Sequence, residues 1–148
     1  MSDAAPPPSR PGIDASATFI AVADDCPATR GEVPAARKGT KTAATVHHEM
    51  ACEAPYRYTQ SQILFAAELA KKGLDPAEHP EGGATWQAFY AKGQPCLRCS
   101  PLGKRYGWGL HLDAQGRVAG YPVDSAEYRR LSADASLTRT RAMRNRRA

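Results

Sequence analysis

No stretch of this chain approaches the roughly 20 consecutive apolar residues that a bilayer-spanning helix requires, so no membrane partner is expected. The opening MSDAAPPPSRPGIDAS has no apolar run for a secretory signal and nothing with which to pack a core, and residues 1–16 are expected to form a disordered leader. Without a signal peptide, a disulfide framework is not expected. Cys26, Cys52, Cys96 and Cys99 read instead as free thiols of a cytoplasmic protein. Internal repeats are absent, and no glycine cluster has the strand-before, helix-after setting of a phosphate loop.

Acidic side chains are missing altogether between Glu81 and Asp113. The net charge is +5, yet residues 1–138 hold fifteen Lys and Arg against fifteen Asp and Glu. The whole excess is Arg139, Arg141, Arg144, Arg146 and Arg147. A uniformly basic domain would draw polyanions through its field. Here only the 139–148 tail, read as a solvated charge run, and the acid-free stretch could do so.

What is present reads as one domain over residues 17–138. TFIAVA, Thr18 to Ala23, is apolar on both sides and predicts a buried strand, followed by a Pro- and Gly-punctuated loop to about Gly39. From Thr42 the residues Ala43, Val46, His47, Met50, Ala51 and Ala54 share one helical face, closed by Pro55. His47 on that stripe reads as a packed core histidine. Thr59 and Gln62 form a capping box for a helix from Gln60 to about Lys72, ended by Gly73; Trp86, Phe89 and Tyr90 mark a short third helix.

Beyond Gly93 the period becomes 2. Tyr106, Trp108, Leu110 and Leu112 alternate with Gly107, Gly109 and His111, and Asp113 to Arg117 suits a three-residue hairpin turn with Gly116 in the left-handed position. In that register Leu112 faces Val118, Leu110 faces Gly120 and Gly109 faces Tyr121, whose ring could cover the bare backbone; Ser125 caps a last short helix. The two glycines leave room on their face. The expected fold is α+β: a small, mostly antiparallel sheet containing Thr18–Ala23 and the hairpin, covered by the two central helices.

Three chemistries compete for the stretch from Lys92 to His111, KGQPCLRCSPLGKRYGWGLH. Cys96 and Cys99 have metal-knuckle spacing, but zinc needs about four ligands and there is no second pair, so neither a metal nor a cofactor is expected. Cys96 with His111 would make a small cysteine-dependent enzyme, a thiolate beside an imidazole, without a third motif to support it. Lys92, Arg98, Lys104, Arg105 and His111 would suit the phosphate of a nucleotide or nucleic acid, with aromatic faces for a base. Trp108, in phase with Leu110 and Leu112, reads as core.

The runs TFIAVADDCP, PYRYTQSQILF, FYAKGQPCLRCSPLGKRYGWGLH and AMRNRRA, in this order, resemble a family of small bacterial proteins of unknown function. The resemblance implies a single domain in the bacterial cytosol. It also implies a small residue more often than cysteine at position 99, against a shared Cys-x-x-Cys site, and a tail that can dock on the domain. The favoured function is a binding module for an anionic, phosphate-bearing ligand. The sequence carries no signal for oligomeric state.

Overall fold

A computed structural model describes residues 14–36 and 40–146. Its five α-helices and one four-stranded sheet make an α+β fold. The strands are β1 (Thr18–Ala21), β2 (Trp108–Leu112), β3 (Val118–Pro122) and β4 (Thr138–Arg141), in the order β3-β2-β1-β4. Pairing is antiparallel except between β1 and β4.

The hairpin follows the expected register: Leu112 lies opposite Val118, Leu110 opposite Gly120 and Gly109 opposite Tyr121. Gly116 takes φ +79°, where a Cβ would be strained. Its amide donates to the Asp113 carbonyl at 3.0 Å, while the Asp113 carboxylate accepts from the amides of Gln115 and Arg117, both at 2.9 Å. One acid thus closes the turn.

The sheet has a helix layer on each side. Ile20, Leu110, Leu112 and Val118 pack with Ala51, Ile63, Leu97 and Leu102 in one core. Those partners come from helix α2 (Gln60–Lys72), from the π-helical turn His48–Cys52 that follows α1 (Ala43–His47), and from the segment around α4 (Pro101–Lys104). On the opposite face α5 (Ala126–Ser132) sets Tyr128 edge-on to Phe19, ring centroids 5.2 Å apart. A satellite cluster joins Phe65 and Leu69 of α2 to Trp86 of α3 (Ala84–Ala91).

Helix α2 starts at the Thr59–Gln62 capping box and stops at Gly73, φ +67°, as its sequence predicts. The helix before it departs from plain α geometry. Thr42 and Thr45 make a second capping box, and after His47 the turn widens, with the Glu53 amide reaching back to the His48 carbonyl at 3.1 Å. Both His47 and His48 are buried.

Several expectations need correction. The basic tail is not a free charge run, because Thr138–Arg141 is the fourth strand and Ala142 is buried in the core. Strand pairing therefore continues past residue 138, to Arg141. Residues 1–13 of the expected leader lie outside the described residues, but Asp14 accepts from the Ser61 amide and hydroxyl, both at 2.8 Å, and so fastens the start of α2. The space over Gly109 is filled by Phe19 and Tyr128 rather than by Tyr121, and that over Gly107 by the Arg30 carbonyl and the Ala28 methyl. Helix α4 was not expected at all. The first strand ends at Ala21 instead of Ala23, and residues 37–39 of the loop after it lie outside the described residues.

Candidate functional site

The site is built where the acid-free stretch crosses α1. Leu97–Cys99 forms a single 3-10 turn, and Ser100 then caps α4 with Pro101 at its first position, where a missing N–H costs nothing. Leu97 and Leu102 are fully buried on either side of that junction. The side chain of Gln60 accepts from the Leu97 amide at 2.6 Å, pinning the turn to the start of α2. Residues 96–105 are thereby held as a rigid ledge against the core.

Ser100 joins this ledge to α1. Its Oγ accepts the Leu102 amide at 3.2 Å and lies 2.7 Å from His47 Nδ1. With an acceptor site already used by the cap, the hydroxyl proton is free to go to Nδ1. Burial alone pushes the imidazole of His47 down to about 4, so at neutral pH it is uncharged.

Two cavities flank the ledge. The first, about 430 Å³, has Leu64, Ala67, Phe89 and Pro95 on its walls together with His47, Ser100, Cys96 and Cys99. Lysines 41 and 71 and Glu68 also line it; Lys41 is paired with Glu49 at 2.9 Å and Glu68 with Lys72 at 2.7 Å. The second, about 370 Å³, carries Lys104, Arg105 and Tyr106 and, among the described residues, no carboxylate. Thr42, Ala43, Cys99 and Pro101 line both, so the two adjoin.

The five residues expected at one surface are divided among three places. Arg98 Nε donates to the Arg141 carbonyl at 2.7 Å, the Met143 amide donates to the Arg98 carbonyl at 2.7 Å, and Arg105 Nε reaches Asn145 Oδ1 at 3.4 Å. Asn145 Nδ2 also donates to the Lys104 carbonyl at 2.8 Å. Arg98, Lys104 and Arg105 therefore share the 141–145 segment as neighbour. Lys92 is exposed at the end of α3 and lines neither cavity.

His111 stands apart as well. Its Nδ1 lies 2.7 Å from the Tyr56 hydroxyl, which lies 2.8 Å from that of Tyr121, and burial holds the imidazole below its usual range. Tyr56 takes φ +61°, an unusual backbone for an aromatic residue. His111 lines neither cavity, and the histidine on the walls of the Cys96 cavity is His47. Trp108 is half-buried, with its Nε1 donating to the Glu32 carbonyl at 2.8 Å and its ring edge-on to His48 at 5.1 Å. Among the described residues no group of three or more His, Cys, Asp or Glu side chains is placed to hold a metal ion.

The residues that sequence reasoning passed over are Ser100 and Thr42, with His47 read chiefly as core and a ligand or catalytic role as the lesser reading. Ser followed by Pro is the signature of a helix start, and it could have located α4. The contact between His47 and Ser100 spans 53 positions and leaves no local trace.

Neutral His47 has a consequence for stability. Its folded pKa lies below the ordinary 6.5, so its contribution is complete above pH 6.5 and is lost as pH falls toward 4, where the unfolded chain takes up a proton that the folded one refuses. The loss across that window is expected to be about 3 kcal/mol. Urea titrations at pH 7, 5.5 and 4 should show wild type losing that much relative to His47→Gln. Parallel pH profiles for the two proteins would contradict a neutral buried imidazole.

A family model described as a family of unknown function (DUF6157) matches residues 13–148. No curated protein and no solved structure matches the chain.

Proposed function

From a chain that belongs to DUF6157, a family of unknown function, we propose a binding module for an anionic, phosphate-bearing ligand, seated on the cavity of Lys104 and Arg105. One observation carries this reading: two adjacent cations line a concave site that has no carboxylate on its walls, and neither is in an ion pair among the described residues. The guanidinium spends only Nε on Asn145, leaving its outer nitrogens for a forked contact with phosphate oxygens. Four free thiols suit a reducing compartment, and we place the activity in the cytoplasm of a bacterium. The competing reading, an enzyme built on Cys96 and His111, ranks second because His111 lines neither cavity.

Salt dependence provides the test. Binding of inorganic phosphate and of a short single-stranded oligonucleotide should weaken as salt rises, because each phosphate contact releases counterions. Lys104→Ala with Arg105→Ala should lower affinity at least about tenfold and flatten the oligonucleotide slope by about 0.7 for each cation removed. Arg144→Ala with Arg146→Ala, both exposed, should leave phosphate affinity unchanged. Salt-insensitive binding, or loss only in the tail variant, would refute the cavity as the anion site.

A further inference from the structure

We propose that the ligand is a nucleoside monophosphate whose phosphate sits on Lys104 and Arg105 and whose base enters the adjoining apolar cavity, where His47 Nε2–H donates to a ring acceptor. The inference rests on the phosphate reading above and adds what the rest of the ligand must be.

Ser100 Oγ is the N-cap acceptor of α4 and keeps its own proton to give to His47 Nδ1; in that tautomer the ring hydrogen lies on Nε2, the arrangement that this proposal takes. Nε2 bonds to no described residue. Nor is it sealed in the core, since Ser132 Oγ is the one buried side-chain polar atom without a partner among the described residues. His47 is nevertheless only 3% exposed, and it is among the residues that line the apolar cavity, which is where the proposal places the partner of Nε2. A neutral N–H donor in such a place matches a neutral acceptor, because an uncharged imidazole adds no attraction for a second anion.

The cavity walls select the shape of that acceptor's carrier. Leu64, Phe89 and Pro95 give an apolar surface with an aromatic ring, suited to a flat heterocycle, and about 430 Å³ is within the usual range of small-molecule sites. A saturated chain of a lipid phosphate would fill the same volume and leave the Nε2–H without a partner, which burial penalises. A base offers both a flat apolar face and ring nitrogen or carbonyl acceptors. The ribose would then span the shared wall of Thr42, Ala43, Cys99 and Pro101.

Titration calorimetry of the full chain with inorganic phosphate, ribose 5-phosphate, adenosine, the four ribonucleoside 5′-monophosphates and hexyl phosphate separates the parts. At least one mononucleotide should bind about tenfold or more tighter than ribose 5-phosphate, the gain expected of one satisfied donor together with apolar burial. His47→Leu should erase that gain and leave ribose 5-phosphate affinity as it was. Should His47→Leu not fold, long-range proton–nitrogen spectra of the wild type serve instead: the Nε2–H signal should shift with the mononucleotide and not with ribose 5-phosphate. Mononucleotides no tighter than ribose 5-phosphate, hexyl phosphate as tight as any nucleotide, or an unmoved His47 signal would each overturn the base assignment while the phosphate reading stood. Adenosine binding with no phosphate compound bound would sink the phosphate reading instead, and silence from every probe would sink both.

Discussion

A chain that stops at Thr138 is expected to lose its cooperative fold. Residues 138–146 look expendable, being basic, mostly exposed and terminal, but β4 runs parallel along β1 from Thr18 opposite Thr138 to Ala21 opposite Arg141. Removing it turns the central strand, with Phe19 and Ile20 buried on its two faces, into a bare edge. Ala142 then leaves the core, where it packs against Gly103, and its amide no longer donates to the Ala21 carbonyl at 2.8 Å. The Asp25 carboxylate also loses the amides of Asn145 and Arg146, each at 2.9 Å; the Asn145 amide is the main reason its pKa lies below the usual range. Each buried backbone bond lost is worth about 1 kcal/mol net, and a domain of this size has only about 5–15 kcal/mol in total. Circular dichroism of the truncated chain should show a broad melt or none. Replacing Arg139, Arg141, Arg144 and Arg146 together by Ala removes four of the five tail charges and keeps the strand, so that variant should melt cooperatively. A truncated protein with the wild-type denaturant midpoint would show that β4 is ornamental.

That strand was hidden because its sequence, TRTR, has no apolar face to announce it. Period-2 reasoning detects a strand by the contrast between a buried and an exposed side, and an edge strand of Thr and Arg offers little contrast. The hairpin was readable for the opposite reason. Leu110, Leu112 and Val118 supply one face, Gly116 fixes the turn, and a slip of one residue would put every leucine on the wrong side. Helix α2 was readable from its capping box, a device complete within four residues.

Site residues are harder to read because they meet across the fold. Lys92, Arg98, Lys104, Arg105 and His111 lie within 20 positions, yet the 3-10 turn and α4 reverse the chain between them, leaving Lys104 and Arg105 on a cavity and carrying His111 to the Tyr56 side of the sheet. Sequence proximity suggested one surface. Conversely, His47 and Ser100 come together only because α1 and α4 pack on the same core, and helical periodicity alone marks His47 as another buried residue. The widened turn after His47 compounds this, since i, i+4 spacing does not describe residues 48–52.

Gly107→Ala is expected to cost about 4 kcal/mol, the largest effect of any single methyl group here. Gly107 has φ +80°, which an L side chain resists by about 1–2 kcal/mol. A Cβ there would also run into the Arg30 carbonyl oxygen, with the Ala28 Cβ only 3.1 Å away. The obstacle is backbone and cannot rotate aside, so overpacking adds a further 1–3 kcal/mol or so. Nor can Gly107 itself move. Its carbonyl accepts the Val123 amide at 2.8 Å, and the preceding Tyr106 carbonyl accepts the Glu32 amide at 2.8 Å, which ties the entrance of β2 to both the hairpin and the 28–32 loop. Gly73→Ala is the matched control: φ is +67° there too, but nothing lies within 4 Å of the added atom, so only the conformational cost of about 1 kcal/mol should appear. Urea midpoints of the two variants decide the matter. If Gly107→Ala lost no more than Gly73→Ala, the space over Gly107 would be open rather than filled by Ala28 and Arg30.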